Sequence, residues 1–206
     1  MNTRGFTLVQ LLAILAALVL LVGILTPVFT RHSEERRSPC QSNLKQIMLG
    51  MIAYVQDYDE HLPLSRGNGI KGDSGYGWAG SSQSYFKSLA VLHCPTTQSR
   101  QQTDTANPQY TDYYYNYRLS GLGEDKLTYV SNTVQAADGS DGVDIADAAY
   151  SKPRLPPNWI ADTSKPTYRH LGGANYAFAD GHIKWLKPTL VTTAAASASV
   201  FTFAVK

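Results

Sequence analysis

The chain has little charge and little cysteine. Charged residues make up 17 % of its 206 positions, and the formal net charge is +2. With no concentrated basic stripe, the electrostatic footprint of a nucleic-acid binder is missing. Two cysteines, Cys40 and Cys94, are too few for a disulfide framework. A zinc site built on them with His61 and His93 would lack any paired ligand spacing. There are no internal repeats. No A-x-A motif follows the long apolar run near the start; "SAS" and "AAA" occur only near the other end. That excludes an ordinary secretory signal, which places its small-residue cleavage site after the apolar stretch. No Ser or Cys nucleophile motif is present either, so the sequence offers no catalytic residue and is not read as an enzyme.

What is there begins at once: "MNTRGFTLVQLLAILAALVLLVGILTP". From Phe6 to Ile24 there is no charge, and Leu and Ala dominate. A helix of that length can cross a hydrocarbon core of about 30 Å. The small residue, Gly5, precedes the run, so retention of the segment is expected. Basic residues do not settle its orientation, since Arg4 precedes it while Arg31, Arg36 and Arg37 follow.

"RGFTLVQLL" ahead of an apolar run and Pro27 resembles the class III signal of type IV prepilins and type II secretion pseudopilins. The resemblance implies cleavage by a prepilin peptidase between Gly5 and Phe6, methylation of the new amino terminus, and polymerisation through the apolar helix. Thr7 and Leu8 match the family's usual residues, and Pro27 lies where many pilins carry a kinking proline. Gln10 departs from the pattern, which has Glu there to neutralise a neighbouring subunit's terminus. An amide can still accept a hydrogen bond from an ammonium, without the charge. Gln10 is then either a tolerated polar residue or the mark of a subunit with a looser or special place in the assembly.

Further along, Leu44, Ile47, Met48, Met51, Ile52, Val55 and Tyr58 recur at three- and four-residue intervals, an amphipathic stripe. "HLP" at 61–63 ends it. The sequence allows one stem from Phe6 to about Asp59 with breaks at Pro27 and Ser38-Pro39, about 80 Å long at 1.5 Å per residue. It equally allows two helices joined by a charged linker over 31–39. Residues 64–84 read as a Gly- and Ser-rich surface loop. "YYYNYRLSG" and "KLTYVSNTVQAAD" read as strands. "ANYAFADGHIKWL" reads as a hairpin turning at Asp180-Gly181, the dipeptide of two-residue type I′ turns. Residues 139–166 read as another loop, and the last seven residues alternate like an edge strand.

His170, nine residues, then Asp180-Gly181 resembles the C-terminal signature of a large bacterial family of prepilin-like proteins. Gly172, Gly173, Ala174 and Asn175 match its Gly-Gly-Ala-Asn run, and "CQSNLKQI" and the mid-chain Cys-Pro match other features. The turn explains Asp180 and Gly181, and a structural hydrogen bond explains His170. "AADGSDGVDIAD" is not an EF-hand, yet it looks like the acidic loop that binds calcium in major pseudopilins. Asp138, Asp141 and Asp144 are the ligands that likeness suggests. Cys40 and Cys94 would either bridge the stem to the head or remain buried thiols.

The fold expected is α+β and pilin-like: a long N-terminal helix, transmembrane then amphipathic, packed on a small antiparallel sheet. Its parts are a leader over 1–5, an assembly helix over 6–30, its amphipathic continuation over 31–63 and a head over 64–206. The function expected is a structural subunit of a type IV pilus-like or pseudopilus-like filament. Its partners would be copies of itself or related pilins, the prepilin peptidase, and the inner membrane before export to the surface. The alternative is a monomeric membrane-anchored protein whose head binds a ligand such as a glycan stacked on Tyr and Trp.

Overall fold

The computed structural model describes residues 8–30, 38–65, 77–97, 110–139 and 150–206. The chain divides into two compact units, Met1–Arg36 and Arg37–Lys206. In the first, α1 runs over Leu8–Thr30. It continues through Pro27, so the proline does not end the helix. Its described side chains are exposed all round, with Leu8 at 74 % and Val19 at 72 %. Among the described residues no helix is long and apolar enough to cross a membrane. The described side chains of α1 end at Gly23, about 24 Å of helix against a hydrocarbon core of about 30 Å. The transmembrane part of the expected fold is therefore not found there. Gly5, Phe6 and the linker 31–37 lie outside the described residues, and so does the question of one stem or two helices.

The second unit is α+β. Its first helix, α2, spans Ser38–Asp57 and carries Pro39 in its first turn, where a missing N–H costs nothing. Leu44, Ile47, Met48, Met51 and Val55 are buried as the stripe requires, while Tyr58 is 51 % exposed beyond the helix end. The helix stops where Asp59 and Glu60 take left-handed φ values of 52° and 59°. Residues 64–84 differ from a plain loop: a short helix, α3 (Gly77–Ser82), buries Trp78 completely. The Trp78 indole stacks near Tyr115 and donates to the Tyr150 carbonyl at 3.1 Å. Two 3₁₀ turns, Gln83–Tyr85 and Leu89–Leu92, then run along α2. Gly50 makes this possible, because a Cβ there would stand 2.5 Å from the Phe86 ring.

The main sheet has five strands: β1 (Tyr113–Asn116), β2 (Val134–Asp138), β3 (Ser151–Lys152), β4 (Ala174–Phe178) and β5 (Ile183–Leu186). Their order is β3-β1-β2-β4-β5, antiparallel except for the β1–β3 pair. Alternating side chains of β1 serve two cores. Tyr113 and Tyr115 pack with α2 and α3, and Tyr114 packs on the other face with Trp159 and Phe203. The sheet is thus covered on both sides: by α2 on one, and by α4 (Pro157–Ala161) with the C-terminal segment on the other.

That C-terminal segment contributes only a two-residue pair, β6 (Val191–Thr192) with β7 (Phe201–Thr202), in parallel. The expected seven-residue edge strand does not form. Asn116 ties the segment down instead, its amide donating to the carbonyls of Val134 (2.7 Å) and Phe203 (3.1 Å).

The β4–β5 hairpin is where the sequence puts it, but its turn differs. Gly181 N–H bonds the Phe178 carbonyl at 2.8 Å, so Ala179 and Asp180 are the central residues. Only Gly181 has positive φ, 80°. This is a tighter turn followed by a left-handed glycine, the three-residue solution, in place of type I′.

Candidate functional site: an exposed apolar helix and a buried disulfide cluster

Two features carry the functional argument. The first is α1, whose apolar side chains cover the whole circumference. A helix with no polar face has no orientation that satisfies water, so it requires lipid or other helices around it. Gln10 lies in its first turns, exposed. Pro27 is within the helix backbone.

The second feature lies inside the head. Cys40, in the first turn of α2, is bonded to Cys94, just after the Leu89–Leu92 turn; their Cα atoms are 5.0 Å apart across a separation of 54 residues. The Thr96 hydroxyl sits 3.1 Å from Cys94 Sγ and 3.6 Å from Cys40 Sγ. The Asp112 carboxylate accepts from the Cys94 N–H at 2.8 Å and faces His93 Nδ1 at 2.8 Å. His61 bonds elsewhere, to the Asp59 carbonyl.

His170 completes the cluster. Its Nε2 is 3.8 Å from Cys94 Sγ and 3.2 Å from Asp138 Oδ2, with both side chains fully buried. Asp138 Oδ2 also accepts from the Asn175 N–H at 2.7 Å. The chain folds back to achieve this: Leu171 and Gly172 adopt φ of 56° and 80°. Gly173 then lies so close to β5 that a Cβ would be 2.6 Å from the Leu186 carbonyl. The Trp185 indole donates to the His170 carbonyl at 2.6 Å. Within the Gly-Gly-Ala-Asn run, Gly172 supplies the left-handed backbone, Gly173 the close approach to β5, and Asn175 the N–H that Asp138 accepts.

The other end of the signature has different partners. The Asp180 carboxylate accepts from the His182 N–H at 3.1 Å and meets its ring Nδ1 at 2.6 Å. The Gly181 carbonyl accepts from Lys45 Nζ at 2.6 Å, and a Cβ on Gly181 would meet Ile52 at 2.7 Å. His170 and Asp180 therefore do not act as a pair. His170 fastens one end of β4 beside the disulfide, Asp180 braces His182 in the turn, and Gly181 fastens the other end to α2.

Of the acidic set, Asp141 and Asp144 lie outside the described residues. Asp138 faces inward, towards Asn175 and His170. Sequence reasoning missed the His170–Asp138 contact; the signal was the strand pairing itself, because β2 and β4 run antiparallel with Ala137 opposite Tyr176. Burial first, and then the nearby charges of Asp138 and Asp112, hold the Tyr113 phenol well above its ordinary range. Burial and Asp138 raise Tyr176 likewise.

Residues 34–85 match a family model described as "Protein of unknown function (DUF1559)". The chain is also similar to the ComG operon protein 3 homolog of Bacillus licheniformis, 28 % identical over 64 residues. That alignment covers 31 % of this chain and 66 % of the relative's length. No solved structure matches.

Proposed function

We propose that this chain is a pilin-like structural subunit of a type IV pilus-like or pseudopilus-like filament. The two sequence similarities support a pilin-like, non-enzymatic chain. The observation that carries the fuller reading is α1, apolar on every described face, joined to a head that already has its own closed core. The whole helix has 23 residues, about 35 Å at 1.5 Å per residue. In this reading the peptidase cuts between Gly5 and Phe6 and the new terminus is methylated. The helix is first an anchor in the inner membrane. It then exchanges lipid for packing against sister helices, and the head becomes the filament's outer surface.

The ligand-binding alternative draws less support. Many of its aromatic rings are spent internally: Trp78, Trp159, Tyr113, Tyr114, Tyr115 and Tyr176 are all buried. Mass spectrometry of the protein from cells that contain a prepilin peptidase tests the proposal. We expect a first residue of methylated Phe6, whereas an intact Met1 start would overturn it.

A further inference from the structure

We propose that in the dithiol state of this chain Cys40, Cys94, His170 and Asp138 form a binding site for one thiophilic divalent cation of the zinc class. The proposal is independent of the filament reading.

The argument is geometric. Ligand atoms of Cys40, Cys94 and His170 all lie within 4.8 Å of one another, and all three residues are buried. In a tetrahedral site with Zn–S of about 2.3 Å and Zn–N and Zn–O of about 2.1 Å, the N–S and N–O edges are about 3.6 Å and about 3.4 Å. Here Nε2–Sγ of Cys94 is 3.8 Å and Nε2–Oδ2 of Asp138 is 3.2 Å. His170 Nε2 thus stands near the tetrahedral edge distance from both Cys94 Sγ and Asp138 Oδ2. The two sulfurs must separate, and the Asp138 carboxylate must close on the cation, by side-chain rotation once the Cys40–Cys94 bond is broken.

The disulfide alone does not account for its neighbours. A closed disulfide is nearly apolar, and burying an imidazole and a carboxylate beside it is costly unless their polar atoms are satisfied. Yet His170 Nδ1 and Asp138 Oδ1 are buried without a hydrogen-bond partner. A cation bound by thiolates would draw on this polar group, with the Thr96 hydroxyl placed to donate to sulfur and steady the charge.

The chemistry balances simply. A phosphine gives two electrons to the Cys40–Cys94 bond and becomes a phosphine oxide with the oxygen of one water, whose two protons end on the sulfurs. Each thiol then passes its proton to solvent as it binds the cation. A newly made chain whose cysteines are not yet oxidised needs no reductant.

The test uses the full chain in detergent micelles, reduced anaerobically with a phosphine and titrated with zinc against a chromophoric chelator. Cobalt serves as the spectroscopic probe. We expect one zinc per reduced chain and none per oxidised chain. The cobalt form should show intense tetrahedral visible bands with thiolate charge transfer. His170→Ala and Asp138→Asn should each weaken zinc binding about tenfold or more.

A reduced chain that keeps its near-UV circular dichroism but takes up no zinc would overturn the proposal. So would an octahedral cobalt spectrum, or a folded His170→Ala chain that binds as tightly as the parent. If reduction unfolds the chain, recovery of the near-UV signal on adding zinc supports the site, and failure to recover it counts against the site.

Discussion

The two helices at the start of the chain are both rich in large apolar residues, and they behave in opposite ways. In α1 those residues occupy every described face and remain exposed. In α2 they are restricted to one stripe, and Leu44, Ile47, Met48 and Met51 are completely buried against the head. Hydrophobicity alone says that a segment avoids water. Its periodicity says where the segment goes instead: a stripe finds a core in its own chain, and a full circumference must find it elsewhere. The helix α2 is further stapled to the head at Cys40 and held at Lys45 by the hairpin turn.

The largest expected effect breaks the staple. Replacing Cys40 and Cys94 together by Ala should lower head stability by about 4 kcal/mol in the chain-entropy account. Chemical denaturation followed by tryptophan fluorescence reads this, and an unchanged midpoint would show that the apolar stripe alone holds α2.

A pair of substitutions separates the two helices. Met48→Ala should cost the head about 3 kcal/mol while leaving membrane retention intact. Leu15→Arg should do the reverse, placing in α1 a charge worth about 3 kcal/mol against insertion without moving the head's melting temperature. If Leu15→Arg also melts the head, the proposed division of labour between the two helices fails.

A further effect comes with alkali. Tyr113, Tyr114 and Tyr115 are held above the ordinary phenol value of 10.0 chiefly by burial. Tyr85, at the surface, is pushed up to about 12 by its hydrogen bond to Asp57. Raised folded-state values favour the neutral form. The contribution is therefore complete below pH 10 and is lost above it, as the unfolded chain ionises first. Denaturation midpoints that stay level from pH 9 to about 11 would contradict the burial of these rings.

Much of the head was legible because its signals are local. The α2 stripe and the β4–β5 hairpin depend on neighbours within a few residues, and both stand where the sequence puts them. The hairpin's turn type did not follow, since Asp-Gly fits more than one turn and the chain chose the one that seats Gly181 against Ile52. The α3 helix was unreadable within a Gly- and Ser-rich stretch, because its helical state depends on burying Trp78 against Tyr115. Burial of all three tyrosines of β1 was not legible, because strand alternation cannot show that both faces of a sheet will be covered. The candidate site was half visible: His170 and the cysteines stood out singly. What joins them is the pairing of β2 with β4, which brings Asp138 and His170 together from distant stretches of the chain and which no local pattern encodes.

Asn116, in the first strand, is satisfied by the carbonyl of Phe203. The first strand of the sheet thus has an unfilled bond until residue 203 is within reach. Closure of the head is then a late event that waits for nearly all of its length to be delivered.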